Sequence, residues 1–190
     1  MKLSVAIMMH LAREKYKEYL LSKLGNVPIA MDRGKGLWDT AKRAWLAHNP
    51  EEKYHIVIQD DAIIGKDFYL NIEKEINRYP NQAYSFYFGN RKGMREIAEK
   101  GEKDDGVMMR WISWGVAICL PTRIIPEMVK FCDEMKTLEK HDDTRISHFL
   151  KKIGMKVWYP IPSLVDHRPE KSLIQSDLGG GRKAYKFIGE

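Results

Sequence analysis

One stretch, His55-Ile56-Val57-Ile58-Gln59-Asp60-Asp61-Ala62, constrains this chain more than any other. Four residues suited to a buried strand run straight towards two adjacent carboxylates. A strand buried on both faces reads as an unbroken apolar run, so residues 55–58 predict a central strand of an α/β sheet. Ligands of open α/β sheets gather at the carboxyl ends of such strands. Two acids there suit Mg²⁺ or Mn²⁺, which takes one or two protein carboxylates and shares the rest of its shell with phosphate and water. The same dipeptide equally fits a strand whose terminal acids cap the next turn.

The chain has 190 residues, enough for one domain with a proper core. An apolar fraction of 44% with 11% aromatic residues argues against disorder. No apolar run reaches the length of a membrane span, and Lys2 is followed at once by strand-like residues rather than a signal peptide. The two cysteines, Cys119 and Cys132, sit inside apolar patterns and read as reduced, buried thiols. Cytoplasmic location is therefore expected, with a monomer as the default. The net charge of +6 suits a polyanionic partner, a phosphate-bearing ligand or a solvated basic surface. No basic tract is dense enough to read as a nucleic-acid motif.

Taken in order, residues 3–9 predict a first central strand with His10 at its carboxyl end. Residues 11–24 carry Ala12, Tyr16, Tyr19, Leu20 and Leu24 at helical spacing, and Gly25 is a natural stop. Residues 27–31 read as a second strand ending at Asp32, which makes a parallel βαβ unit. A glycine-bearing turn, Gly34 and Gly36, leads into a helix with Leu37, Trp38, Ala41, Ala44 and Trp45 on one side. Such a turn can hold phosphate but falls well short of a Walker loop. After Asp61 the pattern gives loop and helix to about residue 79, then a strand over 83–88. Residues 91–106 are nearly all charge and glycine and read as a mobile loop or frayed helix, either a lid or a plain connection. Strands are expected at 106–111 and 114–120, flanking an aromatic bend, followed by a helix from Ile125. His141-Asp142-Asp143-Thr144 opens another helix, where one acid is first of all a candidate cap. A last strand at 156–159 leads through Pro160-Ile161-Pro162 to Ser163-Leu164-Val165-Asp166-His167. Beyond Pro169 the chain reads as a flexible basic tail, which could fold over a bound diphosphate as a flap.

The order of these features resembles a family. Gln59-Asp60-Asp61-Ala62, the Trp114-Gly115 strand start, the Asp142-Asp143 helix start and Pro162-Ser163-Leu164-Val165-Asp166-His167 together look like a small GT-A-type, nucleotide-sugar-dependent glycosyltransferase. The resemblance covers residues 2–168 and includes the specific possibility of a phage-type DNA base glycosyltransferase. It implies a single-domain, Rossmann-like α/β fold over 1–168 with a mostly parallel central sheet flanked by helices, and a tail over 169–190. It implies that Asp61, with Asp60 and His167, holds Mn²⁺ or Mg²⁺. Asp60 would also meet the donor ribose, Asp32 the nucleotide base, and Met9 and His10 the nucleotide through main-chain groups. Lys42 falls near a basic position of the family's second helix. Asp143, or failing that Asp142, resembles the acceptor-activating base, and Trp114 and Gly115 would shape the donor-sugar pocket. Gln59 stands where many members carry an acid, so the roles of the two aspartates can be divided differently here.

The implied reaction moves a hexose, glucose foremost, from a UDP-sugar to a hydroxyl acceptor. A hydroxymethylated pyrimidine in DNA is one acceptor that fits a small, positively charged chain. A surface-polysaccharide acceptor and a non-catalytic nucleotide or nucleic-acid binder are the competing readings. A nucleotidyltransferase is disfavoured because Met8-Met9-His10-Leu11 is not a glycine-rich phosphate loop.

Overall fold

The structure, a computed structural model, describes residues 3–101, 105–135, 141–170, 173 and 182–190. The chain begins with β1 (Leu3–Met9), a tight 3-10 segment (Leu11–Tyr16), α1 (Lys17–Leu24), β2 (Ile29–Met31), α2 (Leu37–Leu46) and β3 (Tyr54–Gln59). It continues through β4 (Ala62–Ile64), α3 (Phe68–Arg78), β5 (Ala83–Ser85), α4 (Lys92–Gly101), β6 (Gly106–Met109) and β7 (Ala117–Pro121). A short 3-10 turn, α5 (Ile125–Glu134), α6 (Asp142–Lys152), β8 (Val157–Pro160) and β9 (Val165–His167) follow.

Seven strands form one sheet in the order β2-β1-β3-β7-β5-β8-β6. β1, β2, β3, β5 and β8 run one way, while β7 and β6 run against their neighbours, so the sheet is mostly parallel with helices on both faces. The apolar runs that predicted central strands have the expected cause. In β1, Ala6 and Met8 join one core cluster with α2, α5 and α6, while Val5, Ile7 and Met9 join another with α1 and α3. In β3, Val57 belongs to the first cluster and Ile56 and Ile58 to the second. Each fully buried Val, Ile or Leu contributes about 1.5–3 kcal/mol, so these two strands anchor both layers. Cys119 and Cys132 are buried free thiols. No helix among the described residues is long and apolar enough to cross a membrane.

Three features differ from the sequence reading or decide between its alternatives. Residues 62–64 form a strand rather than a loop: β4 pairs antiparallel with β9, with Ala62 opposite His167. Residues 92–101, read as a mobile loop or a frayed helix, form a helix, because Met94, Ile97, Ala98 and Gly101 share one face, and Ala98 is fully buried. The tail expected over 169–190 is not free over 182–190. Ala184 bridges to Gly89 and Phe187 to Ser163, the Lys66 amide donates to the Gly189 carbonyl, and Phe187 and Ile188 pack on the second cluster. Residues 171–172 and 174–181 of that expected tail lie outside the described residues.

Candidate functional site

The carboxyl ends of β1, β2 and β3 open into one pocket of about 240 Å³. Met9 and His10 leave β1, Asp32 leaves β2, and Gln59, Asp60 and Asp61 leave β3, so three strand ends bring distant residues together. Gly36, Leu37 and Thr40, at the start of α2, form another part of the lining. Asp32 is held by its own turn: its Oδ1 accepts from the Gly34 amide at 3.0 Å and from the Thr40 hydroxyl at 3.3 Å. Its Oδ2 lies 3.4 Å from His10 Nε2. His10 Nδ1 accepts from the Ala12 amide at 3.1 Å, which leaves Nε2–H to donate towards Asp32.

Asp60 and Asp61 are both buried but are held differently. Asp60 accepts from the His10 amide at 2.6 Å and from Arg13 at 3.0 Å. Burial pushes its pKa up, and the His10 amide and Arg13 only partly offset this. Burial acts on Asp61 the same way, but His167 and then Arg13 outweigh it and hold its pKa below the usual carboxylate range. Arg13 also donates to Asp61, so one guanidinium joins both acids.

Arg13 escaped the sequence reading because the inward face of residues 11–24 was marked by its apolar members alone, and a charged residue on that face was passed over; residues 11–16 also wind as a 3-10 segment. At helical spacing Arg13 shares a face with Tyr16, Leu20 and Leu24, and the structure buries it there, 7% exposed, while Leu11 on the other side is 67% exposed. Arg182, at the edge of the docked C-terminal segment, also lines the pocket, and no local pattern announced it.

His167 reaches Asp61 through the register of β4 and β9, which sets His167 opposite Ala62, the residue after Asp61. Its Nε2 lies 3.1 Å from Asp61 Oδ2, and its Nδ1 lies 2.6 Å from the Arg168 carbonyl. Nδ1 must carry a proton to donate to that carbonyl. With Nε2 protonated as well, the imidazolium donates its Nε2–H to Asp61 and holds that carboxylate's pKa down, whereas in the neutral ring the Nε2 lone pair and Asp61 are two donor atoms suited to one shared cation. Asp61 Oδ1 is buried with no hydrogen-bond partner among the described residues. These two observations fit a divalent ion held by Asp61 and His167. Among the described residues no group of three His, Cys, Asp or Glu could hold a metal, so such an ion would take the rest of its shell from ligand and water. Asp60 points instead to the His10 amide and Arg13.

Asp142 stands beside this pocket rather than in its lining. A Cβ at Gly115 would lie 2.9 Å from Gln59 Nε2 and 3.5 Å from both Asp142 carboxylate oxygens, so a side chain here would displace the Gln59 amide and touch Asp142. Burial, then the charge of Asp143, pushes the Asp142 pKa up to about 7. Asp143 is half-buried and accepts from the Thr144 amide at 2.7 Å. Trp114 packs on Gly89 and edge-on against Tyr87, with the Arg91 guanidinium 5.4 Å from its ring. Lys42 is not brought to the pocket. Its Nζ lies 2.5 Å from Asp133 on α5.

No family model and no curated protein matches this chain. Among solved structures, A197 from STIV superposes with a TM-score of 0.55 at 9% identity, covering 90% of this chain and 87% of its own. GalNAc-T7, solved with UDP, GalNAc and Mn²⁺, superposes with a TM-score of 0.58 at 11% identity. That match covers all of this chain but 44% of the larger protein, so this chain spans less than half its length. The fold is of the GT-A type. At these identities the likeness shows the fold alone, and the chemistry has to come from the residues of this pocket.

Proposed function

We propose that this protein is a nucleotide-sugar-dependent glycosyltransferase that moves a hexose from a UDP-linked donor to a hydroxyl acceptor. The observation that carries this reading is the Asp61–His167 pair, set by the β4–β9 register, with a buried Asp61 oxygen that has no partner among the described residues, in the lining of a pocket that Asp32 shares. A GT-A neighbour solved with UDP, GalNAc and Mn²⁺ supports it.

In this reading Asp32 and the main chain around Met9 and His10 hold the nucleoside. Arg13 and Arg182, the cationic residues of the lining besides its histidines, offset the diphosphate charge. Mn²⁺ or Mg²⁺ on Asp61 and His167, with Asp60 behind them, would neutralise the charge that builds on the departing diphosphate. The Asp142–Asp143 pair takes the proton from the acceptor hydroxyl, and a carboxylate whose pKa is pushed to about 7 suits a base working near neutrality. Gly115 leaves room for that approach, and Trp114 borders it. The surplus of positive charge supports a polyanionic acceptor, so a hydroxymethylated pyrimidine in DNA is the acceptor to test first, with glucose as the sugar.

The deciding measurement is thermal stability with UDP, Mn²⁺ or both. Ligands that bind the native state raise the midpoint by mass action. A rise that needs UDP and Mn²⁺ together, and that is lost in Asp61→Asn, is the expected result. Absence of any nucleotide-dependent rise would overturn the reading.

A further inference from the structure

A second groove, of about 720 Å³, runs along α6 beside the bend that follows β6. Thr144, Ser147, His148 and Lys151 form a single stripe of α6, separated by three and four residues, and Arg110, Trp111 and Lys156 complete the lining used here. Arg110, His148, Lys151 and Lys156 are exposed, and among the described residues none that lines the groove is acidic.

Trp111 is 48% exposed, yet its backbone is fixed. The Tyr159 hydroxyl donates to the Trp111 carbonyl at 3.1 Å, the Ile112 amide donates to Ser147 Oγ at 2.8 Å, and the Ser113 amide donates to the Tyr159 oxygen at 2.9 Å. A large aromatic ring carried on an anchored backbone loses little freedom when something stacks on it. Core packing does not account for a tryptophan in this position.

The same helix links the groove to the donor pocket. Asp143, Ser147 and Lys151 are spaced by four and share one face, whereas Asp142, Arg145, Ile146 and Phe149 form the buried face that meets Gly115 and the core. The stripe that lines the groove therefore leads to Asp143 rather than to Asp142.

We propose that this groove binds a single strand of nucleic acid, with a base stacked on Trp111 and phosphates held by Arg110, Lys151 and Lys156. Base stacking on a fixed aromatic flanked by cations is how single strands are held without sequence reading. An acidic polysaccharide would also meet the cations, but it offers Trp111 only the C–H face of a pyranose, whereas a base stacks its whole ring there, so alginate is the competing ligand in the test. Delivery of an acceptor to Asp143 rests on the transferase reading above; the binding itself does not.

The test is fluorescence anisotropy of a labelled oligothymidylate of about 15 nucleotides with the whole protein, from about 50 to 200 mM salt. Affinity should fall with salt. Trp111→Ala should weaken binding about tenfold, with Trp111→Phe retaining most of it. The double variant Lys151→Gln/Lys156→Gln should lower the log–log salt slope by roughly 0.7 per cation. Lys53→Gln/Arg123→Gln, which removes two exposed cations from another surface, should leave both unchanged. No binding by the wild type, equal binding by the groove variants, or binding of alginate in place of the oligonucleotide would each overturn the proposal. The UDP and Mn²⁺ thermal response, measured in parallel, reports the donor pocket. Its loss with oligonucleotide binding intact would fail the donor reading alone, and the reverse would fail the groove alone.

Discussion

Of the adjacent aspartate pairs in the chain, Asp60-Asp61 and Asp142-Asp143 stand at or beside the pocket, and the fold shifts Asp61 of the first and Asp142 of the second in opposite directions. The first pair ends β3 and is buried against a guanidinium from the 3-10 segment and an imidazole from β9. Asp61 therefore stays a carboxylate in spite of burial, with its pKa held down. The second pair opens α6, where burial and the neighbouring charge push Asp142 up to about 7. One environment keeps a charge for a cation to use, and the other keeps a proton ready to be exchanged near neutrality. The dipeptide itself decides neither outcome. The partners of the first pair come from 48 residues before Asp61 and from β9, which pairs with β4 in a separate two-stranded sheet.

The most severe way to break this contrast is to remove Arg13. Arg13→Ala leaves two buried carboxylates facing each other and turns the first pair into a poorer version of the second. Breaking a buried pair by removing one partner costs about 3–5 kcal/mol, which should lower the midpoint by on the order of 10 °C in a chain of this size. Mn²⁺ should then stabilise Arg13→Ala more than it stabilises the wild type, because the competing cation is gone. The comparison of midpoints with and without Mn²⁺ decides it. An equal or smaller Mn²⁺ response in the variant would show that Arg13 and the metal do not share these acids. Arg13→Lys keeps the charge and should fall between the two.

The same contrast shows how far the sequence could be read. The unbroken runs of β1 and β3 placed Asp60, Asp61 and His10 at strand ends, and the Asp32 turn followed from its glycines, because these signals are local. Arg13 was hidden by its charge: it shares helical spacing with Tyr16, Leu20 and Leu24, but the inward face was read from its apolar residues only. His167 was proposed for the site on resemblance, but what sets it beside Asp61 is the pairing of two three-residue strands about a hundred residues apart. Strands that short carry too little periodicity to be seen, and β4 had been taken for loop. The docking of 182–190, which brings Arg182 to the pocket, depends on main-chain pairing with residues 88–90 and 163, and no side-chain pattern marks it.

A milder perturbation sharpens the second pair. The folded-state pKa of Asp142 lies above that of an unfolded aspartate, so the native state holds its proton more tightly. Its contribution to stability is complete below about pH 4 and is lost as pH rises through about 7. Asp142→Asn keeps a neutral, similarly shaped side chain at every pH. The midpoint of the wild type minus that of Asp142→Asn should therefore shrink between pH 5 and pH 8, by a few degrees. A difference that stays constant across this range would show that Asp142 does not titrate there. Its contrast with Asp61 would then rest on geometry alone.

The smallest expected effect tests whether a cation must stand at these acids to matter. Lys42 lies on α2, close in sequence to Thr40 of the pocket, and resemblance placed it near the nucleotide. The structure turns it to Asp133 across the α2–α5 contact, where both side chains are more than a third exposed. Exposed pairs of this kind contribute about 0.2–1 kcal/mol, so Lys42→Ala should move the midpoint by no more than a few degrees. The UDP and Mn²⁺ response should be unchanged, since the variant touches neither Asp61 nor His167. A clear fall in UDP affinity would mean that Lys42 leaves Asp133 to reach the ligand, and that α2 as well as the 3-10 segment supplies a cation to the first pair.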